Sequence, residues 1–93
     1  MMSKDRAETI AVQALGWMAS REDTLEAFLG AAGCAPEDLR KRAWEPEFLG
    51  FVLDFLLGDE PALMAFCDDA GMKYDAPMEA RAALPGGDAW HWT

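Results

Sequence analysis

Apolar residues recur along most of the chain at the three- and four-residue spacing of amphipathic α-helices, and no long stretch alternates with a period of two. The first helical stretch follows Ser3, a residue type that favours the N-cap position. Its apolar positions fall on one face of a helix, so we expect that face to be buried. These positions are Ala7, Ile10, Ala11, Ala14, Leu15 and Met18.

A second and a third helix are predicted from their capping residues. Ser20 is expected to cap the second helix, with Asp23 three residues later in the arrangement of a capping box. Gly33 predicts the end of that helix, and Pro36 predicts the start of the third because a missing N–H costs nothing in a first turn. The predicted inner stripe of the second helix consists of Leu25, Phe28, Leu29 and Ala32.

The fourth predicted helix begins at Pro46 and is apolar on most of its sides. A helix of this kind is buried in a globular protein, so we expect it to lie at the centre of the fold. Its narrow polar or small stripe consists of Glu47, Gly50, Asp54 and Gly58.

Two further helices and a tail complete the prediction. Asp59 or Glu60 is expected to cap the fifth helix, whose inner stripe contains Leu63, Phe66, Cys67 and Ala70, and Gly71 is expected to end it. A last helix is predicted from about Pro77 to Leu84, since the Pro-Gly-Gly run at 85–87 cannot continue it. The result is one all-α domain over 1–93, a compact bundle of five or six helices with its helical body at 3–84 and a break and tail at 85–93.

The chain also resembles itself at a shift of 38 residues. Both halves then contain a helix, a capped turn, a second helix, a glycine and a helix that starts with proline, although the last helix matches at a shift of 41 residues. Repeats of this length mark duplicated architectures. We therefore expect two similar three-helix halves that pack against each other. Matching pairs include Leu15 and Leu53, Trp17 and Phe55, Leu25 and Leu63, Phe28 and Phe66, Gly33 and Gly71, Pro36 and Pro77, and Arg40 and Arg81.

Composition and charge narrow the classes of partner. The 93 residues fit one domain, and an apolar share of 52% argues against disorder. Seventeen acidic residues against eight basic ones give a net charge of −9 at pH 7. This charge repels nucleic acid and anionic membranes, and it favours cationic partners.

The sequence also predicts a cytoplasmic location. The charged start of the chain leads into no continuous apolar segment of the kind found in signal peptides. The most apolar stretch, 48–57, is ten residues long and contains Asp54, which is too short and too polar to span a bilayer. Cys34 and Cys67 have no metal-site or redox-motif spacing, so we expect reduced thiols.

Four residues stand out as candidates for interaction. Asp54 is a single charge on an otherwise apolar helix, and it would mark a functional site if it were buried. Trp90, His91 and Trp92 form an aromatic tail that either folds back over a groove or is offered to a partner. Because His91 is the only histidine, a His-based metal site or a two-histidine relay is excluded within one chain. No catalytic constellation is visible, so no catalytic residues, metal site or cofactor are predicted. Trp17 and Trp44 are expected in the core.

Two segments together with the Ala-Leu-Pro-Gly-Gly run at 83–87 resemble a family of short bacterial proteins catalogued as domain of unknown function 3572. The segments are residues 7–17, AETIAVQALGW, and residues 46–57, PEFLGFVLDFLL. The resemblance covers nearly the whole chain and implies a small helical protein of bacterial origin. It brings no catalytic residue, ligand or partner with it.

Two hypotheses about function follow. The first is a non-enzymatic module that binds a protein partner, or itself, through an apolar groove or the tryptophan tail, with the acidic charge steering a basic partner. The alternative is a small-ligand-binding protein or minor enzyme with a pocket between the two halves that uses Asp54 or Cys34. Nucleic-acid binding through the basic residues 40–42 is not expected, because the end of a helix accounts for them.

Overall fold

The computed structural model describes residues 2–86, and every regular element within them is helical. The all-α bundle predicted from the sequence is therefore confirmed. Residues 87–93, and with them Trp90, His91 and Trp92, lie outside the described part. The helices are α1 (Lys4–Ala19), α2 (Glu22–Ala32), α3 (Leu39–Arg42, preceded by a 3₁₀ turn at Pro36–Asp38), α4 (Pro46–Leu57), α5 (Glu60–Ala70) and α6 (Ala76–Ala82).

The core lies where α1, α4 and α6 pack against one another. All six apolar residues predicted for the inner face of α1 are buried, so that prediction is confirmed. The central position of α4 is confirmed too, although its Phe51, Phe55 and Leu57 remain half-buried rather than enclosed. The buried residues of α4 are Phe48, Leu49, Gly50, Val52, Leu53 and Leu56.

The helix ends follow the predicted caps at most positions. Ser3 Oγ accepts a hydrogen bond from the backbone N–H of Arg6 at 3.1 Å, and Asp59 Oδ1 accepts one from Ala62 at 3.2 Å. Gly33 and Gly71 end α2 and α5 in the left-handed region, at φ values of 67° and 68°. A side chain is strained in that conformation, so glycine is the residue that stops a helix in this way.

Ser20 does not start α2, and this prediction was wrong. The helix begins at Glu22 after Arg21, which makes no side-chain cap. Ser20 Oγ instead donates a hydrogen bond to the carbonyl of Trp17 at 2.7 Å. The hydroxyl therefore closes the end of α1, because a carbonyl of the last turn needs a donor.

The two halves correspond closely through their first two helices. α2 and α5 have the same length and lie 38 residues apart in the sequence. Two aromatic contacts between the halves follow the same shift: Trp17 meets Phe66 with ring centroids 5.9 Å apart, and Phe55 meets Phe28 at 5.3 Å. The matching contacts support the predicted twofold arrangement.

The third segments of the halves differ. Residues 36–42 form a 3₁₀ turn and one short helical turn, rather than the single helix predicted from Pro36, and none of them is buried. α6 begins one residue before Pro77 and ends two residues before the predicted Leu84. It packs on both α1 and α4 and buries Pro77, Ala80 and Arg81. The third helix of the second half therefore packs closely on the core, whereas the third segment of the first half meets it only through partly buried residues such as Leu39.

Candidate functional site

Asp54, the charge on the central helix, lies in an ion pair with α6. Arg81 Nε donates to Asp54 Oδ1 at 2.6 Å, and Arg81 Nη1 donates to the carbonyl of Pro85 at 2.9 Å. The Arg81 side chain is 10% exposed and that of Asp54 is 35% exposed. Because a buried guanidinium needs acceptors, the pair accounts for the charge of Asp54 structurally.

Gly50 makes room for this ion pair. A Cβ atom at Gly50 would lie 2.8 Å from Arg81 Nη1 and 3.3 Å from the Pro85 carbonyl oxygen. A Cβ atom at Gly86 would lie 3.1 Å from Arg81 Nη2. The glycines, the carboxylate and the carbonyl thus surround one guanidinium. These contacts hold Pro85 and Gly86 against α4, which gives this part of the chain a structural role.

A second polar cluster joins the end of α1 to α5. Trp17 Nε1 donates to Asp69 Oδ2 at 2.7 Å, and Arg21 Nη2 donates to the same oxygen at 3.0 Å. The Arg21 guanidinium also lies over the Trp17 ring, 4.4 Å from its centroid. The hydrogen bond from Trp17, followed by that from Arg21, holds the pKa of Asp69 below its usual range.

The neighbouring Asp68 is also engaged, although both aspartates are exposed as predicted. The Tyr74 hydroxyl donates to Asp68 Oδ1 at 2.8 Å. This hydrogen bond to the carboxylate raises the pKa of Tyr74. The Asp68-Asp69 pair therefore binds groups of its own chain, and it stabilises the end of α5.

The two cysteines are placed differently. Cys67 is fully buried, as predicted, and burial is the main cause that raises the pKa of its thiol. A thiol that stays protonated is a poor nucleophile. Cys34 is half-buried against the core. Among residues 2–86, no three His, Cys, Asp or Glu side chains are grouped as metal ligands.

The largest opening that we identify is a groove of about 580 Å³ between α1 and α3, here called the α1–α3 groove. α1 forms one wall, α3 and the turn after it form the other, and a single residue of α4 contributes the remaining side. The lining residues are Asp5, Glu8, Thr9, Val12 and Gln13 from α1, Arg40, Ala43 and Trp44 from the α3 side, and Leu49 from α4.

Large apolar side chains are exposed in this groove. Trp44 is 85% exposed and Val12 is 47% exposed. The prediction that Trp44 belongs to the core was wrong, because Trp44 follows a short helix that buries no residue. Trp17 is half-buried and packs against the core, so the prediction was closer there. The groove was not predicted from the sequence. The helical spacing of apolar residues does not show which of the two corresponding helices, α3 or α6, packs closely on the core.

The walls of the groove carry opposite charges. Asp5 and Glu8 lie on the α1 wall, and Arg40 lies on the α3 wall. None of these three side chains forms an ion pair with another residue in the described part of the chain. Their charges are therefore available to a molecule that enters the groove.

A smaller groove of about 260 Å³ lies on the α2 side of the same turn. Arg42 lies over the Phe48 ring there, 4.5 Å from its centroid, and its Nε is 3.7 Å from Glu45 Oε1. Because its own charged side chains already contact each other, this groove offers less to a partner. Its lining residues are Ala31, Ala32, Arg42, Glu45, Glu47, Phe48 and Phe51.

The predicted site residues are not brought together at either groove. Asp54 lines neither of them, and its carboxylate contacts Arg81 instead. Trp90, His91 and Trp92 lie outside the described residues, so their role stays a prediction. The sequence signal for the groove is the basic run 40–42 close to Trp44, although the end of a helix accounts for basic residues equally well.

Comparison with known proteins gives one match. Residues 4–87 match the family described as protein of unknown function, DUF3572. The match covers nearly the whole chain and agrees with the resemblance seen in the sequence. No curated protein and no solved structure matches the chain. Within residues 2–86, no helix combines the length and the apolar character needed to cross a membrane.

Proposed function

The chain belongs to the DUF3572 family, whose description states no function, and we propose on physical grounds that it is a protein-interaction module that docks a partner in the α1–α3 groove. The observation that carries this proposal is the exposure of Trp44 beside a groove with apolar walls. Tryptophan is enriched among the residues that dominate binding energy at protein interfaces. An indole that is 85% exposed contributes little to the free energy of folding. Its apolar surface can still be buried by a partner, and that burial would contribute to the free energy of binding.

The groove also indicates the chemistry of the partner. Val12, Ala43 and Leu49 provide apolar surface, and Asp5 and Glu8 carry the carboxylates of the α1 wall. A segment with an apolar face and a cationic edge satisfies both features. The net charge of −9 adds a long-range attraction for such a segment, which raises its association rate.

The alternative of a small-ligand or catalytic pocket has less support. Asp54 pairs with Arg81, and neither Asp54 nor Cys34 lines the two grooves. The α1–α3 groove has no cysteine, serine or histidine among its lining residues, and the Thr9 hydroxyl donates to the backbone carbonyl of Asp5. Its polar groups lie at the walls, where they suit recognition of a charged side chain.

Two further parts of the proposal concern origin and location. We infer that the fold arose by duplication of a three-helix half, which the equal lengths and the 38-residue shift of α2 and α5 support. We also infer a cytoplasmic location, which the free thiols of Cys34 and Cys67 support.

Titration with designed peptides tests the docking proposal. Amphipathic helical peptides that share one apolar face but have cationic, neutral or anionic edges are added to ¹⁵N-labelled protein and followed by NMR. We expect the cationic peptide to bind most tightly, with shifts concentrated at Val12, Trp44 and Leu49. Trp44→Ala should weaken binding about 30-fold or more, in the range of an interface hot spot.

The matched control is Met78→Gln, since Met78 is also exposed, at 57%, but lies on α6 outside both grooves. This variant should bind the peptides as the wild type does. The proposal is wrong if no peptide binds at millimolar concentration, or if the shifts map to another face and are unchanged in Trp44→Ala.

A further inference from the structure

The segment that forms the α3 wall has the apolar and cationic side chains that we expect of a partner for the groove. Arg40 and Lys41 are exposed cations, and Trp44 is an exposed apolar anchor three residues after Lys41. Residues 40–42 are the only run of consecutive basic residues in an otherwise acidic chain. This chain therefore carries, on one surface, both an acidic apolar groove and a basic segment with a tryptophan.

Within its own chain the segment is one wall of the groove, so it cannot also fill the space between the walls. The same segment of a second copy is free to fill that space. In a twofold dimer the same patch serves both copies, and each residue pair across the interface occurs twice. The α3 wall of one copy then faces the α1 wall of the other, which places Arg40 near Glu8 and Trp44 over the apolar surface between the walls.

We propose that the occupant of the α1–α3 groove is a second copy of this chain, arranged as a twofold dimer in which each copy supplies Arg40 and Trp44 to the groove of the other. This inference rests on the proposed docking function and names its partner. Charge complementarity carries it, because Asp5 and Glu8 on one wall and Arg40 on the other have no ion-pair partner within residues 2–86. Opposite walls of this kind attract each other across a twofold axis.

The overall charge sets the strength that we expect. Two copies with a net charge of −9 each repel at long range, whereas the walls attract at short range. Screening at physiological ionic strength acts over about 8 Å and reduces the long-range term most. We therefore expect a reversible dimer whose population rises with concentration.

Sedimentation velocity over a concentration series is the first test. The wild-type chain should shift from monomer to dimer, Trp44→Ala should raise the dissociation constant about 30-fold or more, and Met78→Gln should leave it unchanged. A chain that stays monomeric up to millimolar concentration overturns the inference. So does a dimer that Trp44→Ala does not weaken.

A charge-swap experiment tests the arrangement itself. Glu8→Lys alone and Arg40→Glu alone should each weaken the dimer, because each creates like charges at both copies of the pair. An equimolar mixture of the two variants should form a heterodimer at near wild-type strength, since both contacts are then between opposite charges. Circular dichroism first establishes that each variant is folded. Recovery in the mixture then excludes a folding defect as the cause of the weakening, and a mixture of folded variants without recovery overturns the proposed pairing.

The failure of this inference is distinct from the failure of the proposed function. A strictly monomeric chain that binds the cationic peptide through Trp44 leaves the docking function in place and removes only the second copy as its partner. A chain that dimerises through another face and binds no peptide removes both.

Discussion

The third segments of the two halves, residues 36–44 and 77–85, share two residue types at matched positions but pack differently. Each starts with a proline and carries an arginine at the same position, Arg40 in the first and Arg81 in the second. Arg81 is buried in an ion pair, and its helix packs on both α1 and α4. Arg40 is exposed at the edge of a groove.

The partner helices explain the difference. At the 38-residue shift, Gly50 corresponds to Val12 and Asp54 corresponds to Gly16. Gly50 leaves room for a guanidinium, and Asp54 supplies the carboxylate that its burial requires. At these positions the first half has the branched side chain of Val12 and the glycine Gly16. It therefore has neither the space nor the carboxylate that a buried arginine requires.

The α1–α3 groove is therefore the first-half counterpart of the place that α6 occupies in the second half. An apolar surface is exposed in the first half, where the third segment buries no residue. On the proposed function the two halves differ: the second closes the core, and the first carries the groove that we propose for binding. The predictions below test this division, starting with the largest expected effect.

Asp54→Ala removes the carboxylate and leaves the Pro85 carbonyl as the one remaining acceptor of the Arg81 guanidinium within residues 2–86. We expect a loss of about 2–4 kcal/mol in the free energy of unfolding, somewhat below the loss for a fully enclosed pair because Asp54 is partly exposed. Urea denaturation measures this change. The exposed Glu26→Ala on α2 is the control and should change stability by less than about 0.5 kcal/mol.

A second variant separates two contributions to the free energy of unfolding: the destabilisation by an unpaired buried charge, and the stabilisation by the ion pair. Asp54→Leu combined with Arg81→Met replaces both charged groups with apolar ones, so it should be more stable than Asp54→Ala. If the double variant is less stable than the single one, the ion pair stabilises the second half in a way that packing does not replace.

Gly50→Ala and Gly16→Ala compare one glycine in the first helix of each half. The added methyl group at Gly50 meets Arg81 Nη1 at 2.8 Å, so we expect a loss of about 1–3 kcal/mol. Nothing lies within 4 Å of a Cβ atom at Gly16, so the same change should gain about 0.5–1 kcal/mol through helix propensity. Thermal unfolding of both variants measures the difference, and equal signs would contradict the steric explanation.

The Asp69 cluster predicts a pH dependence at the boundary between the halves. Because its folded pKa is depressed, the stability that Asp69 contributes is present at neutral pH and is lost as the pH falls through that pKa, below about pH 4. The NMR shift of the Trp17 Nε1 proton should titrate with the carboxyl, and Asp69→Asn should abolish the step. A midpoint above that of an ordinary aspartate would show that the hydrogen bonds do not favour the charged form.

Trp44→Ala should have the smallest effect on folding. The side chain is 85% exposed, so the free energy of unfolding should change by less than about 0.5 kcal/mol, whereas truncation of a core tryptophan costs about 3–5 kcal/mol. Urea denaturation of a dilute, monomeric sample checks this. A loss above 1 kcal/mol would mean that Trp44 supports the first half and is not held for a partner.

Much of the fold was predictable from local rules. The buried face of α1 follows from helical spacing, and the ends of α2 and α5 follow from Gly33 and Gly71, because these features depend on residues near one another in the sequence. The start of α2 was not predictable in this way. Ser20 satisfied the carbonyl of Trp17 instead, and capping patterns do not show which of two local hydrogen bonds forms.

The residue types of the candidate site were predictable from the sequence, but their arrangement was not. An isolated charge at Asp54, a basic run and a tryptophan at position 44 were visible in the sequence. Their partners lie far along the chain, as with Arg81, which is 27 residues from Asp54. Spacing within one helix carries no information about contacts over such a separation.

The sequence by itself determined the helical fold class, the buried face of α1 and the glycine ends of α2 and α5, because each depends on the local pattern of apolar and capping residues. Only the tertiary structure decided that α6 packs closely on α1 and α4 while α3 buries no residue. That choice depends on whether α1 and α4 offer space and a carboxylate to an arginine from another helix. The same choice leaves Trp44 at the edge of an open groove.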